Sequence, residues 1–311
     1  MAATILTGLS AALAAMLYPL PVTQESAQPA VAIDVLQASR DLHARLTVPI
    51  QIGEHGPFNF LIDTGAERTV LSHAVAARIG LRPSGTATVM GVAGSQQVQI
   101  VEVDEIALGR RSFYGLSAPL LDAQYIGADG IVGLDSLQGQ RVLLDFANNR
   151  MAVDDAKALG GNKGYEIVVT ARRKSGQLIL TDALVDGIRT DIVIDTGAET
   201  SIGNLALQKA MVERTAPPAQ LMSVTGQSVI ADSGYARKLQ LGRLVLNNTL
   251  LAFTDAPPFE RLGLNRRPAL LLGMAQMRQF KRVAIDFSTR RVLFDLPDGT
   301  GFTATPGTYK F

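Results

Sequence analysis

Phe60-Leu61-Ile62-Asp63-Thr64-Gly65-Ala66-Glu67 and Ile192-Val193-Ile194-Asp195-Thr196-Gly197-Ala198-Glu199 are two versions of one octapeptide. In each, an apolar run of strand length breaks into a turn at an acid, so the carboxylate stands where a buried strand ends. A lone ionised carboxylate in that setting carries a large desolvation cost. The cost falls when a second carboxylate lies near enough for the two to share one proton. The pattern predicts that Asp63 and Asp195 meet.

Working outward, each acid is delivered by a hairpin: Leu46 to Ile52 with Phe58 to Asp63 in the first half, Leu178 to Val185 with Thr190 to Ile194 in the second. Ser72 to Ile79 reads as a short helix that stops at Gly80. Beyond it, Thr86 to Gly94 and Gln97 to Val103 form a hairpin with a glycine-containing tip, matched by Met222-Ser223-Val224-Thr225-Gly226. Glycine supplies the turn geometry there without a side chain to pin the tip. Gly130-Ile131-Val132-Gly133 pairs in the same way with Ala269-Leu270-Leu271-Leu272-Gly273, and Arg141 to Phe146 with Arg282 to Phe287. The offset between copies is 132 residues at Asp63/Asp195 and at Gly94/Gly226, 140 at Gly133/Gly273 and 141 at Asp145/Asp286. A small insertion between hairpin and apolar strand explains the increase. Two copies of one fold packed about a pseudo-two-fold axis place equivalent residues face to face, Asp63 opposite Asp195.

The expected organisation is an N-terminal segment 1–32, a lead-in 33–45 (helical or irregular, with His43 structural), lobes 46–154 and 178–297 joined by a linker 155–177, and a tail 298–311. The 311 residues are 47% hydrophobic and 18% charged, with a net charge of +1, which describes a globular chain and gives no electrostatic footprint for nucleic acid. Arg172-Arg173-Lys174, the densest basic cluster, reads as a solvated loop. The absence of cysteine excludes disulfides, thiolate metal sites and a cysteine nucleophile. Residues 2–20 are uncharged and apolar or small, and Ala30-Val31-Ala32 offers a small-x-small cleavage site. This pattern predicts export to a periplasmic or extracellular compartment, with membrane association through residues 2–20 as the alternative.

The apolar-apolar-Asp-Thr-Gly-Ala signature followed by an apolar-Gly strand resembles the retropepsin-like aspartic peptidases. Two copies in one chain resemble a fused, single-chain version of their homodimer, over roughly residues 46–153 and 178–296. The resemblance implies an all-β fold of two retropepsin-like barrel lobes with few short helices. It also implies a monomer that is its own pseudo-dimer, acting as an aspartic endopeptidase on extended peptides or proteins. Asp63 and Asp195 would activate one water. Thr64 and Thr196 would bond across the pseudo-axis, while Gly65 and Gly197 allow the turns and Ala66 and Ala198 leave room for substrate. Val92-Ala93-Gly94 and Val224-Thr225-Gly226 would be the tips of flaps that close over the peptide. No cofactor or metal is implied.

Three departures from the family pattern stand out. Leu134 and Met274 follow the strand-ending glycines where many members carry an arginine, so Glu67 and Glu199 are expected to pair with Arg141 or Arg282 or to face solvent. Neither presumed flap tip carries a tyrosine, unlike a pepsin-type flap. Gly130 corresponds to Leu270, so the two subsite sets need not be equivalent. The alternative to a peptidase is a catalytically silent peptide-binding or adaptor module that has kept the scaffold.

Overall fold

The computed structural model describes residues 35–37, 39–40, 46–109, 111–212 and 215–297. The N-terminal apolar segment, its cleavage motif, His43 and the tail 298–311 lie outside them. Among the described residues no helix is long and apolar enough to cross a membrane.

The fold is all-β, with two lobes of the acid-protease type. In the N-terminal lobe the sheet runs Ser39–Arg40, Leu46–Ile52, His55–Ile62, Gly130–Val132, Val70–Ser72, Arg111–Leu121, Gly94–Leu108, Pro83–Gly91, and Leu46–Ile52 also pairs with Gly94–Leu108 so that the sheet folds round on itself. The C-terminal lobe repeats this order: Arg172–Lys174, Gln177–Val185, Ile188–Ile194, Ala269–Leu272, Ile202–Gly203, Leu244–Phe253, Ser228–Leu241, Thr215–Met222, with Gln177–Val185 against Ser228–Leu241. The acid-bearing strands are buried at Leu61, Ile62, Val193 and Ile194 because each lies parallel to an apolar partner strand, in the registers Phe60↔Gly130 and Ile192↔Leu270. The helix expected after the Asp63 turn spans His73–Arg78, capped by the Ser72 hydroxyl, which accepts from the Val75 N–H at 3.2 Å.

Those registers correct the reading of Gly130. A Cβ there would run into the Phe60 ring and the Val70 carbonyl. The Phe60 ring occupies the place a side chain at residue 130 would need, and Phe60, Gly130, Ile192 and Leu270 are all buried, so the difference between the halves lies inside the core.

A third, six-stranded antiparallel sheet joins the lobes, in the order Val35–Gln37, Arg150–Asp154, Arg141–Asp145, Arg282–Asp286, Arg291–Asp295, Ile167–Thr170. The closing hairpins of the two halves meet at its centre, in register Arg141↔Asp286, Leu143↔Ala284 and Asp145↔Arg282, so the pseudo-axis passes through Leu143 and Ala284. The outermost strands come from the segments expected as lead-in and linker. Val35 pairs with Ala152 and Ile167 with Phe294. The structural repeat therefore starts ahead of residues 46 and 178. Arg172-Arg173-Lys174 is exposed as expected but forms an edge strand on Gln177–Val185 and not a loop.

Arg141 is 1% exposed and Asp286 fully buried; the guanidinium bonds the carboxylate through Nε at 3.0 Å and Nη2 at 2.6 Å, and also reaches the Gly161 carbonyl and Asn162. It ties both lobes and the connecting segment together. Burial pushes the Asp286 carboxyl up, but the Thr289 N–H, the Ser288 hydroxyl and Arg141 outweigh it and hold the group below its ordinary value. Removing one partner of a buried pair strands the other, at a cost of about 3–5 kcal/mol. Arg141→Met should lower the urea midpoint accordingly, and Arg141→Met/Asp286→Leu should recover part of the loss. Because the folded pKa of Asp286 is depressed, its contribution is complete above the unfolded value of about 3.9 and is lost as pH falls through the lowered folded value.

Candidate active site

Each catalytic-type turn is held by its own backbone and by the opposite lobe. Asp63 Oδ1 accepts from the N–H groups of Gly65 at 2.7 Å and Ala66 at 3.0 Å; Asp195 Oδ1 accepts from Gly197 at 3.0 Å and Ala198 at 3.1 Å. The Asp63 and Asp195 N–H groups donate to Val132 and Leu272, at 3.1 and 3.0 Å. The apolar-Gly strands thus fix where the acids leave the sheet.

Across the axis the two threonines exchange bonds. Thr64 N–H donates to Thr196 Oγ1 at 3.0 Å and Thr196 N–H to Thr64 Oγ1 at 3.2 Å. The Thr64 hydroxyl donates to the Ile194 carbonyl at 2.9 Å and the Thr196 hydroxyl to the Ile62 carbonyl at 2.7 Å. Both side chains are buried, so these bonds face little competition from water.

The exchange brings Asp63 and Asp195 into hydrogen-bond contact. Burial, and then the charge of Asp63, pushes Asp195 up to about 7, against the lowering pull of the Gly197 and Ala198 N–H groups. Gly65 and Gly197 have a role beyond turn formation, because each backs onto the opposite acid. A Cβ on Gly65 would stand 2.7 Å from Asp195 Oδ1, and one on Gly197 would collide with the Asp63 carboxylate.

The strand pair Pro83–Gly91 and Gly94–Leu108 turns at Val92 and Ala93, and the pair Thr215–Met222 and Ser228–Leu241 turns through Val224, Thr225 and Gly226. The tips cross the axis. Val92 packs on the C-terminal lobe's apolar cluster containing Phe259 and Leu262, while Val224 packs on the N-terminal lobe's cluster of Leu61, Val70, Leu121, Ile126 and Ile131. The tips also touch each other: a Cβ on Gly91 would meet the Ser223 hydroxyl, and one on Gly94 would lie 2.8 Å from Gln227 Oε1. Gly226 sits on the Tyr125 ring, 2.5 Å from where its Cβ would be.

Glu67 and Glu199 pair with neither Arg141 nor Arg282. Arg141 is taken by Asp286, and Arg282 by Asp295 at 2.5 Å. Arg278 Nη1 bonds both oxygens of Glu199, at 2.7 and 2.9 Å, within the C-terminal lobe. Arg261 bonds Glu67 from the opposite lobe, through Nε and Nη2 at 3.2 Å each. Arg278 was findable as the next arginine after Gly273, at the end of helix Met274–Met277. Its counterpart at the 140-residue offset is Gln138, so the repeat does not announce it. Gln177 and Tyr125 carried no sequence signal. Buried Gln177 donates to the Gly65 carbonyl at 2.6 Å and so braces the first turn from the second half. Among the described residues, no three His, Asp or Glu side chains gather in a way that could hold a metal ion.

Two family models match in tandem. Residues 48–139 match a gag-polyprotein aspartyl protease family, and residues 181–275 match the family described as aspartyl protease. A search of curated proteins found no match. The chain belongs to the retropepsin-like aspartyl proteases, as a single-chain member with two fused repeats.

The raised pKa of Asp195 has a consequence for stability. A carboxyl whose folded pKa lies above its unfolded value adds stability below about pH 3.9 that is lost as pH rises towards about 7. Asp195→Asn, which removes that titration, should be more stable than the native chain at pH 8 by on the order of 2–4 kcal/mol, with the gap narrowing towards pH 4. Urea unfolding at both pH values measures it.

Proposed function

We propose that the protein is an aspartic endopeptidase that hydrolyses extended peptides with a water activated between Asp63 and Asp195. The observation that carries this reading is the pair of acids in hydrogen-bond contact, one pushed up to about 7, beneath two flaps that cross the axis. Two carboxyls this close cannot both ionise cheaply, so they titrate as a unit; aspartic proteases are the standard example of such a pair. The singly protonated pair holds one proton between its two carboxyls, written here on Asp195. Asp63 takes a proton from the water as its oxygen bonds to the peptide carbonyl carbon, and Asp195 gives its proton to the carbonyl oxygen. The tetrahedral intermediate then collapses: Asp63 returns its proton to the leaving nitrogen, the C–N bond breaks, and one hydroxyl of the diol gives its proton back to Asp195 as the carbonyl reforms.

The parts around the dyad suit that chemistry. The Thr64–Thr196 exchange and the Gly65, Ala66, Gly197 and Ala198 N–H groups hold the acids ready, so little reorganisation is required when charge moves. Ala66 and Ala198 are small and half-buried beside the acids, which suits a passing peptide backbone. The flaps Val92-Ala93-Gly94 and Val224-Thr225-Gly226 would bind that backbone as an added strand and exclude water. The chain supplies both halves of the site and would act as a monomer. The uncharged segment 2–20 with Ala30-Val31-Ala32 supports export; N-terminal sequencing of the protein from the producing cell should find it starting near Ile33, and a full-length membrane-bound chain would favour the anchor.

Asp63→Asn and Asp195→Asn should each lower kcat on a denatured protein substrate by about 10²–10⁴-fold with unchanged circular dichroism. The native rate should fall as pH rises past about 7, when the shared proton is lost. Binding of peptides without turnover from acidic to neutral pH would favour the silent adaptor.

A further inference from the structure

Pseudo-symmetry makes the two ends of the cleft comparable, and they are not built alike. Between flap glycine and strand-ending glycine, the second half has 46 residues (after Gly226, before Gly273) and the first has 38 (after Gly94, before Gly133). The longer segment includes helix Pro257–Arg261 and the run to Pro268. That helix touches three things. It lies against the first flap strand, Pro83–Gly91. Its Phe259, with Leu262, belongs to the apolar cluster on which the flap-tip residue Val92 packs. Its last residue, Arg261, places a two-pronged guanidinium on both oxygens of Glu67.

Glu67 stands on the N-terminal lobe, on the turn that carries Asp63. It lies four residues beyond Asp63, and the carbonyls of Ala66 and Glu67 are pinned by the N–H groups of Leu134 and Asp135, at 2.9 and 3.3 Å. The C-terminal helix therefore links the first flap strand to the turn after Asp63. At the other end, Glu199 takes its side-chain bonds, among the described residues, from Arg278 of its own lobe. The short helix Ala123–Ile126 supports the second flap through Tyr125, but the chain then passes through Gly127-Ala128 to Asp129, whose carboxylate turns back to accept from the Asn59 N–H at 2.8 Å.

We propose that Arg261 and Glu67 form a strap across one end of the substrate cleft, so that the protein takes peptides with only a short chain on that side and an unrestricted chain on the other. This rests on the peptidase reading above. Four residues of chain reach at most about 14 Å, and an extended peptide rises about 3.3 Å per residue, so a bound peptide meets the strap within about four residues of the dyad. The favoured substrates are then peptides, or protein ends, cut near one terminus. Arg261 is 54% and Glu67 39% exposed, so the pair can open, and the restriction acts on rate.

The test uses a peptide bond that the protein cuts in denatured casein, built into synthetic peptides with three to six residues on either side. The expected result is a fall in kcat/KM of about fivefold, the upper end for an exposed pair, when one side grows past four residues and no fall when the other grows. Arg261→Gln should remove the fall, high salt should weaken it, and Arg278→Gln should keep it. Equal length dependence on both sides, or a fall that persists in Arg261→Gln, overturns the strap while leaving the peptidase standing. Failure to cut any peptide or casein overturns the peptidase reading and the strap with it.

Discussion

Two carboxylates that each dislike burial are made tolerable by being held against one another. Everything else in the molecule serves that juxtaposition. The acids come from residues 132 apart in the chain, and what joins them is the reciprocal bonding of Thr64 and Thr196, whose N–H and hydroxyl groups span the pseudo-axis at 2.7 to 3.2 Å. Those bonds require that the two turns present identical geometry to each other. A duplicated strand-turn unit, braced behind by a parallel apolar strand ending in glycine, meets that requirement directly. Gly133 and Gly273 are glycines because the backbone of residues 68–69 and 198–200 lies against the place where a Cβ would be.

The lobes are held at a distance from the site as well as at it. The six-stranded sheet pairs the closing hairpins antiparallel about Leu143 and Ala284, and the buried Arg141–Asp286 pair ties that sheet to the connecting segment. Such a pair is weak evidence for net stability, since its Coulombic gain offsets a large desolvation penalty. It does fix geometry, because a planar fork in a dry interface accepts few orientations. The equivalent arginine, Arg282, turns instead to Asp295 of its own hairpin. The same choice between partner lobe and own lobe recurs at Glu67 and Glu199. Fusion of two copies into one chain lets each half drift, provided the threonine exchange and the glycine contacts survive.

Much of this was legible because the repeated signals are local. Apolar strand, acid, threonine and glycine lie within eight residues, and the 132-residue offset carries them into register. The two hairpin turns were legible for the same reason, as a turn at Val92-Ala93 and another at Val224-Thr225-Gly226 follow from glycine placement. What escaped depends on long-range packing. Val35–Gln37 and Ile167–Thr170 are too short and too plain to read as strands until an outer edge of the sheet is there to receive them. The arginines that pair with Glu67 and Glu199 are not legible in the sequence because pairing follows from which helix end lies over which turn, and one of those helices sits in the segment where the repeats differ in length. Gly130 was read as a difference in the site because sequence does not show that Phe60 fills the space.

The central claim is that Asp63 and Asp195 share one proton across the lobe interface. It is tested most directly by carbon-13 NMR titration of the aspartate carboxyls, assigned with Asp63→Asn and Asp195→Asn. The account predicts two well-separated steps for the pair, the upper near pH 7 and sensed at both carbons, with that step absent from either variant. Two independent transitions near the ordinary value of about 3.9, each untouched by mutation of the other acid, would contradict it.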